Sequence, residues 1–101
     1  MKTPTIEQIK SEIKALEAIK PNIIPMSIFG DNHHDAIDAQ IRVLKEEMDE
    51  DTVYDTWEDT NDYDVNRNVI NAALDAVNWL DGNSDYEGVS PARDWEQLLK
   101  K

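Results

Sequence analysis

Apolar residues recur three and four positions apart in three long segments of this chain, a spacing typical of amphipathic α-helices. The repeats are Ile6, Ile9, Ile13 and Leu16; Ile37, Ile41, Leu44 and Met48; and Val69, Ile70, Ala73, Leu74, Val77 and Leu80. No segment shows a clear period-two alternation of the kind that a half-buried strand requires. The sequence therefore predicts an all-α fold, a compact bundle of three main helices plus two shorter helices, in a single acidic domain spanning residues 1–101.

Capping residues and prolines predict where these helices begin and end. Expected starts are Thr3 followed by Pro4, Asp31 or Asn32, Asp51 and Thr52, a third main helix from about Val65, and Ser90 followed by Pro91. Expected ends are Lys20 before Pro21, Met48, Trp57 or Glu58, and Leu80 before a stop at Gly82. The last helix is expected to turn Trp95, Leu98 and Leu99 toward the core.

Residues 21–30 connect the first two helices and are unusually apolar for a connection. They carry Ile23, Ile24, Met26, Ile28 and Phe29 between and after two prolines. Proline disfavours helix in the residue before it, so the segment is predicted to be extended. Its apolar content predicts that it lies across the core.

The charge of the chain is strongly negative and unevenly placed. The net charge is −12, and residues 46–87 hold fourteen acids against Arg67 alone, whereas residues 1–45 hold six acids and six bases. Such a field repels nucleic acid and anionic membranes, and it accelerates association with basic protein surfaces. We therefore expect a basic protein partner, with no direct nucleic-acid or membrane binding.

Residues 46–64 contain ten carboxylates and no Lys or Arg. Val53, Tyr54 and Trp57 lie within this run and share a helical face, so they are expected to pack inward and hold the acidic residues in place. Asp55, Glu58 and Asp59 then form the outward face. The predicted partner-binding residues are Glu46, Glu47, Glu50, Asp51, Asp55, Glu58, Asp59 and Asp62, together with Trp79 at the margin of the third apolar stripe.

Two patterns suggest metal ions but lack essential ligands. Asp81, Asn83, Asp85 and Glu87 follow the first ligand spacings of a calcium loop, yet the required glycine and bidentate glutamate are missing. His33 and His34 are adjacent, so on a helix they point about 100° apart and are poorly placed to share one ion. Solvent-facing histidines and an ordinary polar turn are the favoured interpretations, and neither a metal nor a cofactor is expected.

The EExxE spacing of Glu46, Glu47 and Glu50 resembles the first metal-binding motif of all-α nucleoside triphosphate pyrophosphohydrolases of the MazG kind. The resemblance implies magnesium held on helical carboxylates. That family completes the motif with ExxD on a following helix, where this chain offers only Asp75 and Asn78. An enzyme is therefore an alternative hypothesis, and a non-enzymatic role is favoured.

Residues 36–57 and 71–82, which read AIDAQIRVLKEEMDEDTVYDTW and NAALDAVNWLDG, resemble small acidic uncharacterised proteins of phage, prophage and enterobacterial genomes. The resemblance implies a compact protein that binds a host protein, in some cases by imitating the charge of DNA. A structural homodimer formed through Trp79 and residues 23–29 is a further alternative.

The chain has no cysteine, and we expect neither a signal peptide nor a membrane-spanning segment. These features favour a soluble protein of the reducing cytoplasm.

Overall fold

The computed structural model describes residues 3–28, 32–57, 63–82 and 90–100, with side chains in the third range described from residue 68 onward. Its helices are α1 (Ile6–Ile19), α2 (His33–Glu46), α3 (Glu50–Trp57), α4 (Tyr63–Leu80) and α5 (Pro91–Leu99), and a single 3₁₀ turn, Lys20–Asn22, follows α1. Within these ranges the only β-type pairing is one isolated bridge between Met26 and Asn32. The predicted all-α fold, with three main and two shorter helices, is confirmed.

The core forms mainly where α2 lies along α4, with α1, α3 and α5 packed around this pair. The largest fully buried side chains are Leu16, Ile37, Val43, Leu44 and Val53. Helix α4 contributes small buried residues, Ala72, Ala73 and Ala76, which let the two helix backbones approach closely. Each fully buried Leu, Ile or Val contributes about 1.5–3 kcal/mol through removal of its apolar surface from water.

Capping chemistry explains where the helices begin. Helix α1 starts after Thr5, whose Oγ1 accepts from the Gln8 backbone N–H at 3.1 Å while Gln8 Oε1 accepts from the Thr5 N–H at 2.8 Å. The predicted start at Thr3 and Pro4 is therefore wrong, because only Thr5 has glutamine three positions later to complete the reciprocal cap. Asn32 caps α2 and Ser90 caps α5, as predicted.

Backbone conformation explains where two helices end. Helix α2 ends at Glu46, two residues before the predicted Met48, because Glu47 adopts a left-handed conformation with φ 47° and ψ 52°. Met48 is nevertheless buried. Gly82 has φ 72° directly beyond α4, and its N–H donates to the Trp79 carbonyl, so the predicted glycine stop is confirmed.

Several residues predicted to face the core are exposed. Ile6 is 71 % exposed, so the apolar stripe of α1 begins at Ile9. Leu98 and Leu99 are 47 % and 44 % exposed, although Trp95 does pack partly buried against the core. Helix α5 therefore packs against the core mainly through residues of its first half.

The connection between α1 and α2 also differs from the prediction. Ile23 is buried, but Ile24, Met26 and Ile28 are 73 %, 54 % and 93 % exposed. The His33 N–H donates to the Pro25 carbonyl at 2.7 Å, and Met26 bridges to Asn32, so the chain turns outward as a loop before α2 starts. Phe29 lies outside the described residues.

None of the helices in the described ranges combines the length and the apolar character that a transmembrane segment requires.

Candidate protein-interaction surface

The junction between α2 and α3 carries five of the predicted partner-binding carboxylates, and all five are exposed. They are Glu46 at the end of α2, Glu47 in the connection, and Glu50, Asp51 and Asp55 on α3. We call these five residues the acidic surface. Glu58, Asp59 and Asp62, the other predicted members, lie outside the described residues.

The backbone of this junction is held by local hydrogen bonds. Asp49 Oδ1 accepts from the Thr52 N–H at 2.8 Å and so caps α3, where the sequence predicted Asp51 and Thr52 as caps. The hydroxyl and the backbone N–H of Thr52 lower the pKa of Asp49 below its ordinary value, because both favour the carboxylate form. The Met48 N–H donates to the Val43 carbonyl at 3.1 Å and closes the last turn of α2.

Two side chains attach α3 to the rest of the fold. Val53 is fully buried, and Trp57 is partly buried with the Arg42 guanidinium 5.7 Å from its ring centroid. This cation–π contact joins α2 to α3 across their connection. Tyr54, predicted to face inward beside them, is 39 % exposed. It therefore adds an aromatic ring to the solvent side of α3, the helix that carries three members of the acidic surface.

Among the described residues, one of the five carboxylates, Glu46, has an ion-pair partner. Arg42 Nε donates to Glu46 Oε2 at 2.8 Å across one helical turn, and both side chains are about half exposed. Exposed pairs of this kind contribute little to stability. Arg42 reduces the local negative charge at Glu46, so Glu47, Glu50, Asp51 and Asp55 provide most of the unbalanced charge of the acidic surface.

The three glutamates of the EExxE motif do not share a helix. Glu46 is the last residue of α2, Glu47 is left-handed, and Glu50 is the first residue of α3. No group of three or more potential metal-ligating side chains is found among the described residues. The calcium-like pattern falls mostly outside them, since residues 83–89 are not described. The helical carboxylate arrangement implied by the MazG-like resemblance is therefore not the one that the chain adopts.

Trp79 lies in the last turn of α4, partly buried and packed against the core. This position agrees with its predicted place at the margin of the apolar stripe. Trp57 and Trp95 are also partly buried rather than fully enclosed.

A set of interior polar contacts was missed by the sequence analysis. Gln40 is buried, and its Nε2 donates to the Ala72 carbonyl at 3.0 Å while its Oε1 accepts from Trp95 Nε1 at 2.7 Å. Glu12 is buried, and its Oε1 accepts from the Ala92 N–H at 2.9 Å. The sequence does contain one indication of this burial: both residues occupy positions in the apolar stripes of their helices.

The histidine pair belongs to the same interior region. His34 Nε2 donates to the Ile23 carbonyl at 2.9 Å, and the His33 ring lies 5.3 Å from the ring of Trp95. Both histidines are partly buried. The favoured interpretation that they face solvent is therefore wrong. They pack the start of α2 against the connection and α5.

Three carboxyl groups near α5 have raised pKa values. Burial is the largest cause that raises the pKa of Glu12, and the negative charges of Glu96 and Asp94 raise it further. Hydrogen bonds from Ala92 and Ser90 lower this pKa and offset part of the rise. Burial raises the pKa of Asp75, with a contribution from Asp94, although Asp75 as a whole residue is exposed. Burial likewise raises the pKa of Asp94. These groups lie away from the α2–α3 connection in sequence and belong to the packing of α5.

Comparison of the chain with protein-family models, with curated proteins and with solved structures gives no match. The fold and the acidic surface thus define an all-α acidic domain.

Proposed function

We propose that this chain is an acidic protein-interaction module that binds a basic surface of a nucleic-acid-handling protein, as a DNA-mimic-like inhibitor or regulator. The proposal rests on one observation, the five exposed carboxylates of the acidic surface on a junction whose backbone is held by the Asp49 cap and the buried Val53. Carboxylates held in this way can occupy positions that phosphates take on a basic protein. A phage-linked origin and a cytoplasmic location, which the sequence predicts, belong to this proposal.

The charge distribution supports the same role. Residues 46–87 hold fourteen acids against Arg67 alone and so account for the whole of the net charge of −12, which concentrates the electrostatic field on one part of the chain. Concentrated charge of one sign steers a partner of the opposite sign and raises the association rate. Affinity for a basic partner should therefore fall steeply as salt rises.

The test is a capture experiment with a matched pair of charge-reversal variants. The immobilised wild-type chain is exposed to an enterobacterial lysate, and retained proteins are eluted with duplex DNA and identified. We expect a DNA- or RNA-binding protein that DNA displaces. The variant Asp51→Lys/Asp55→Lys should associate with this purified protein about tenfold more slowly at low salt, because the steering charge is lost.

The matched control is Glu7→Lys/Glu17→Lys on α1. It changes the net charge by the same amount, and each variant alters one residue in the first turn of its helix and one exposed residue further along. The control should retain most of the wild-type association rate. Equal slowing in both variants would show that only the overall charge matters, and failure of DNA to displace any retained protein would reject the mimic proposal.

A second candidate function, a structural homodimer, is favoured by a different observation. Ile24, Met26 and Ile28 are exposed on the loop between α1 and α2. Exposed apolar groups concentrated on one loop are typical of contact surfaces. Light scattering after size exclusion tests this alternative: a dimer that becomes monomeric in Ile28→Asp supports it, and a monomer at every concentration rejects it. No described contact favours the MazG-like alternative.

A further inference from the structure

Helix α5 is joined to the rest of the molecule mainly through its first half. Pro91 and Ala92 are buried and Trp95 is partly buried, whereas Leu98 and Leu99 remain substantially exposed. With little apolar burial in its second half, α5 depends on the specific contacts of its first half for its position.

Those contacts reach both α1 and α2. The Ala92 N–H donates to Glu12 of α1, and Trp95 donates to Gln40 of α2. The Ala92 N–H is one of the N-terminal donors that a helix cannot satisfy internally, so Glu12 acts as a cap contributed by another helix. The Ser90 hydroxyl also bonds to Glu12. The α5 N-terminus and the Glu12 carboxyl are therefore coupled directly.

Several charged groups surround this coupling. Helix α5 itself places Asp94 and Glu96 close enough to act on Glu12, and α4 places Asp75 close enough to interact with Asp94. From α2, the His33 ring lies against Trp95. Arg93 and Lys100 of α5 are exposed. The two ion pairs among the described residues, Lys20–Asp38 and Arg42–Glu46, involve none of these carboxyls.

The physical consequence is that ionisation of this junction opposes the docking of α5. Removing a carboxylate from water is unfavourable, and neighbouring carboxylates add repulsion. The Ala92 and Ser90 hydrogen bonds favour the charged form of Glu12 and counteract part of this effect. The pKa of Glu12 remains above its ordinary value, which means that the docked state takes up a proton more readily than the undocked state does.

We propose that the α1–α5 contact is a proton-dependent clasp, in which α5 docks more tightly when the Glu12 junction is protonated and opens more often as the pH rises toward neutrality. Opening releases the Trp95 indole from Gln40 and exposes the buried surface around Ala92. The clasp is independent of the acidic surface, which lies on α2 and α3.

The measurement is the solvent-exchange rate of the Trp95 indole N–H by NMR, since this proton bonds to Gln40 only when α5 is docked. Rates are divided by those of N-acetyltryptophanamide in the same buffer, which removes the intrinsic pH dependence. We expect the protection of Trp95 to fall as the pH rises from the ordinary glutamate range toward neutrality, by at most about tenfold per pH unit for each linked proton. The Trp57 indole on α3 is the internal comparison and should change less.

The deciding variant is Glu12→Gln, which keeps an oxygen to accept from Ala92 but cannot ionise. Its Trp95 protection at pH 7.5 should match that of the wild type near pH 5, with most of the pH dependence lost. Glu17→Gln, the same change at an exposed position of α1, should behave as the wild type. His33→Gln removes the imidazole that lies against Trp95 and should also keep the pH dependence, because the proposal assigns that dependence to the Glu12 junction.

Three results would overturn the proposal: unchanged pH dependence in Glu12→Gln, loss of the dependence in His33→Gln, or lower Trp95 protection in Glu12→Gln at every pH. The last result would mean that the charged carboxylate holds α5. If Glu12→Gln does not fold, Asp94→Asn serves in its place. This exposed change should raise Trp95 protection at pH 7.5 and weaken the pH dependence, and an unchanged profile in that variant would also reject the clasp.

Discussion

Glu12 and Gln40 show how a single polar residue in an apolar stripe can define a contact. Glu12 follows Ile9 by three positions and precedes Leu16 by four, so its side chain must point toward the core. Gln40 has the same spacing between Ile37 and Leu44. Buried polar groups are costly unless hydrogen-bonded, and these two obtain their partners from α4 and α5. They therefore specify where α5 docks, which apolar residues alone would leave less defined.

Alanine substitutions of two helical isoleucines, one buried and one exposed, test the burial of single residues. Ile37→Ala removes a fully buried side chain from α2 and should lower the free energy of unfolding by about 2–5 kcal/mol. Ile6→Ala is the same change at a position that is 71 % exposed and should cost less than about 0.5 kcal/mol. Urea denaturation monitored by circular dichroism measures both. Similar losses in the two variants would contradict the position of the α1 stripe.

At the scale of the helix, the two threonines near the start of α1 distinguish the sequence prediction from the structure. Thr5→Ala removes half of the reciprocal cap with Gln8 and should lower stability by about 0.5–2 kcal/mol. Thr3→Ala, the predicted cap, should stay within about 0.5 kcal/mol of the wild type. Thermal and urea unfolding are the measurements, and a larger loss for Thr3→Ala would place the cap there instead.

Much of the fold could be predicted because the signals are local. Helical spacing gave the helices, and the cap of Asn32, the Ser90–Pro91 start and the Gly82 stop follow from chemistry within a few residues. The end of α2 could not be predicted, because Glu47 takes a left-handed backbone conformation that residues other than glycine rarely adopt. The prediction that Leu98 and Leu99 of α5 face the core was wrong. Distant partners, Glu12 and Gln40, determine which face of this short helix is buried.

The acidic surface was partly predictable for the same reason. Carboxylates at the end of one helix and the start of the next are expected to be exposed, and Glu46, Glu47, Glu50, Asp51 and Asp55 are. Their binding role stays a prediction. Tyr54 was misplaced because the spacing of Val53, Tyr54 and Trp57 allows two adjacent inward residues, whereas α3 buries Val53 and leaves Tyr54 toward solvent.

At the scale of the whole molecule, pH should affect stability through carboxyl groups. Glu12, Asp75 and Asp94 have folded-state pKa values above their ordinary values of 4.5, 3.8 and 3.8. The folded state then binds more protons than the unfolded state, so their contribution is fully present below the ordinary pKa values and is lost as pH rises through the raised ones. The melting temperature should therefore fall as the pH rises from these ordinary values through the raised ones.

Calorimetry in high salt measures this effect with the repulsion of the net charge of −12 largely screened. The variant Glu12→Gln/Asp75→Asn/Asp94→Asn should show a flatter dependence over the same range. Asp49 acts in the opposite sense, because its lowered pKa means that its contribution is lost only as the pH falls below the ordinary aspartate range. A melting temperature that rises as the pH increases through this range would contradict the assignment.

The contact between Glu12 and Ala92 joins residues 80 positions apart in the chain. Contacts over such separations form late, since the entropy of closing a long loop must be overcome first. During synthesis, α1, α2, α3 and α4 are made before α5 exists. Until then Glu12 and the Oε1 atom of Gln40 lack the hydrogen-bond donors that α5 supplies. We therefore expect the core around Glu12 and Gln40 to close only after α5 has been made, and a chain arrested earlier should be more sensitive to protease.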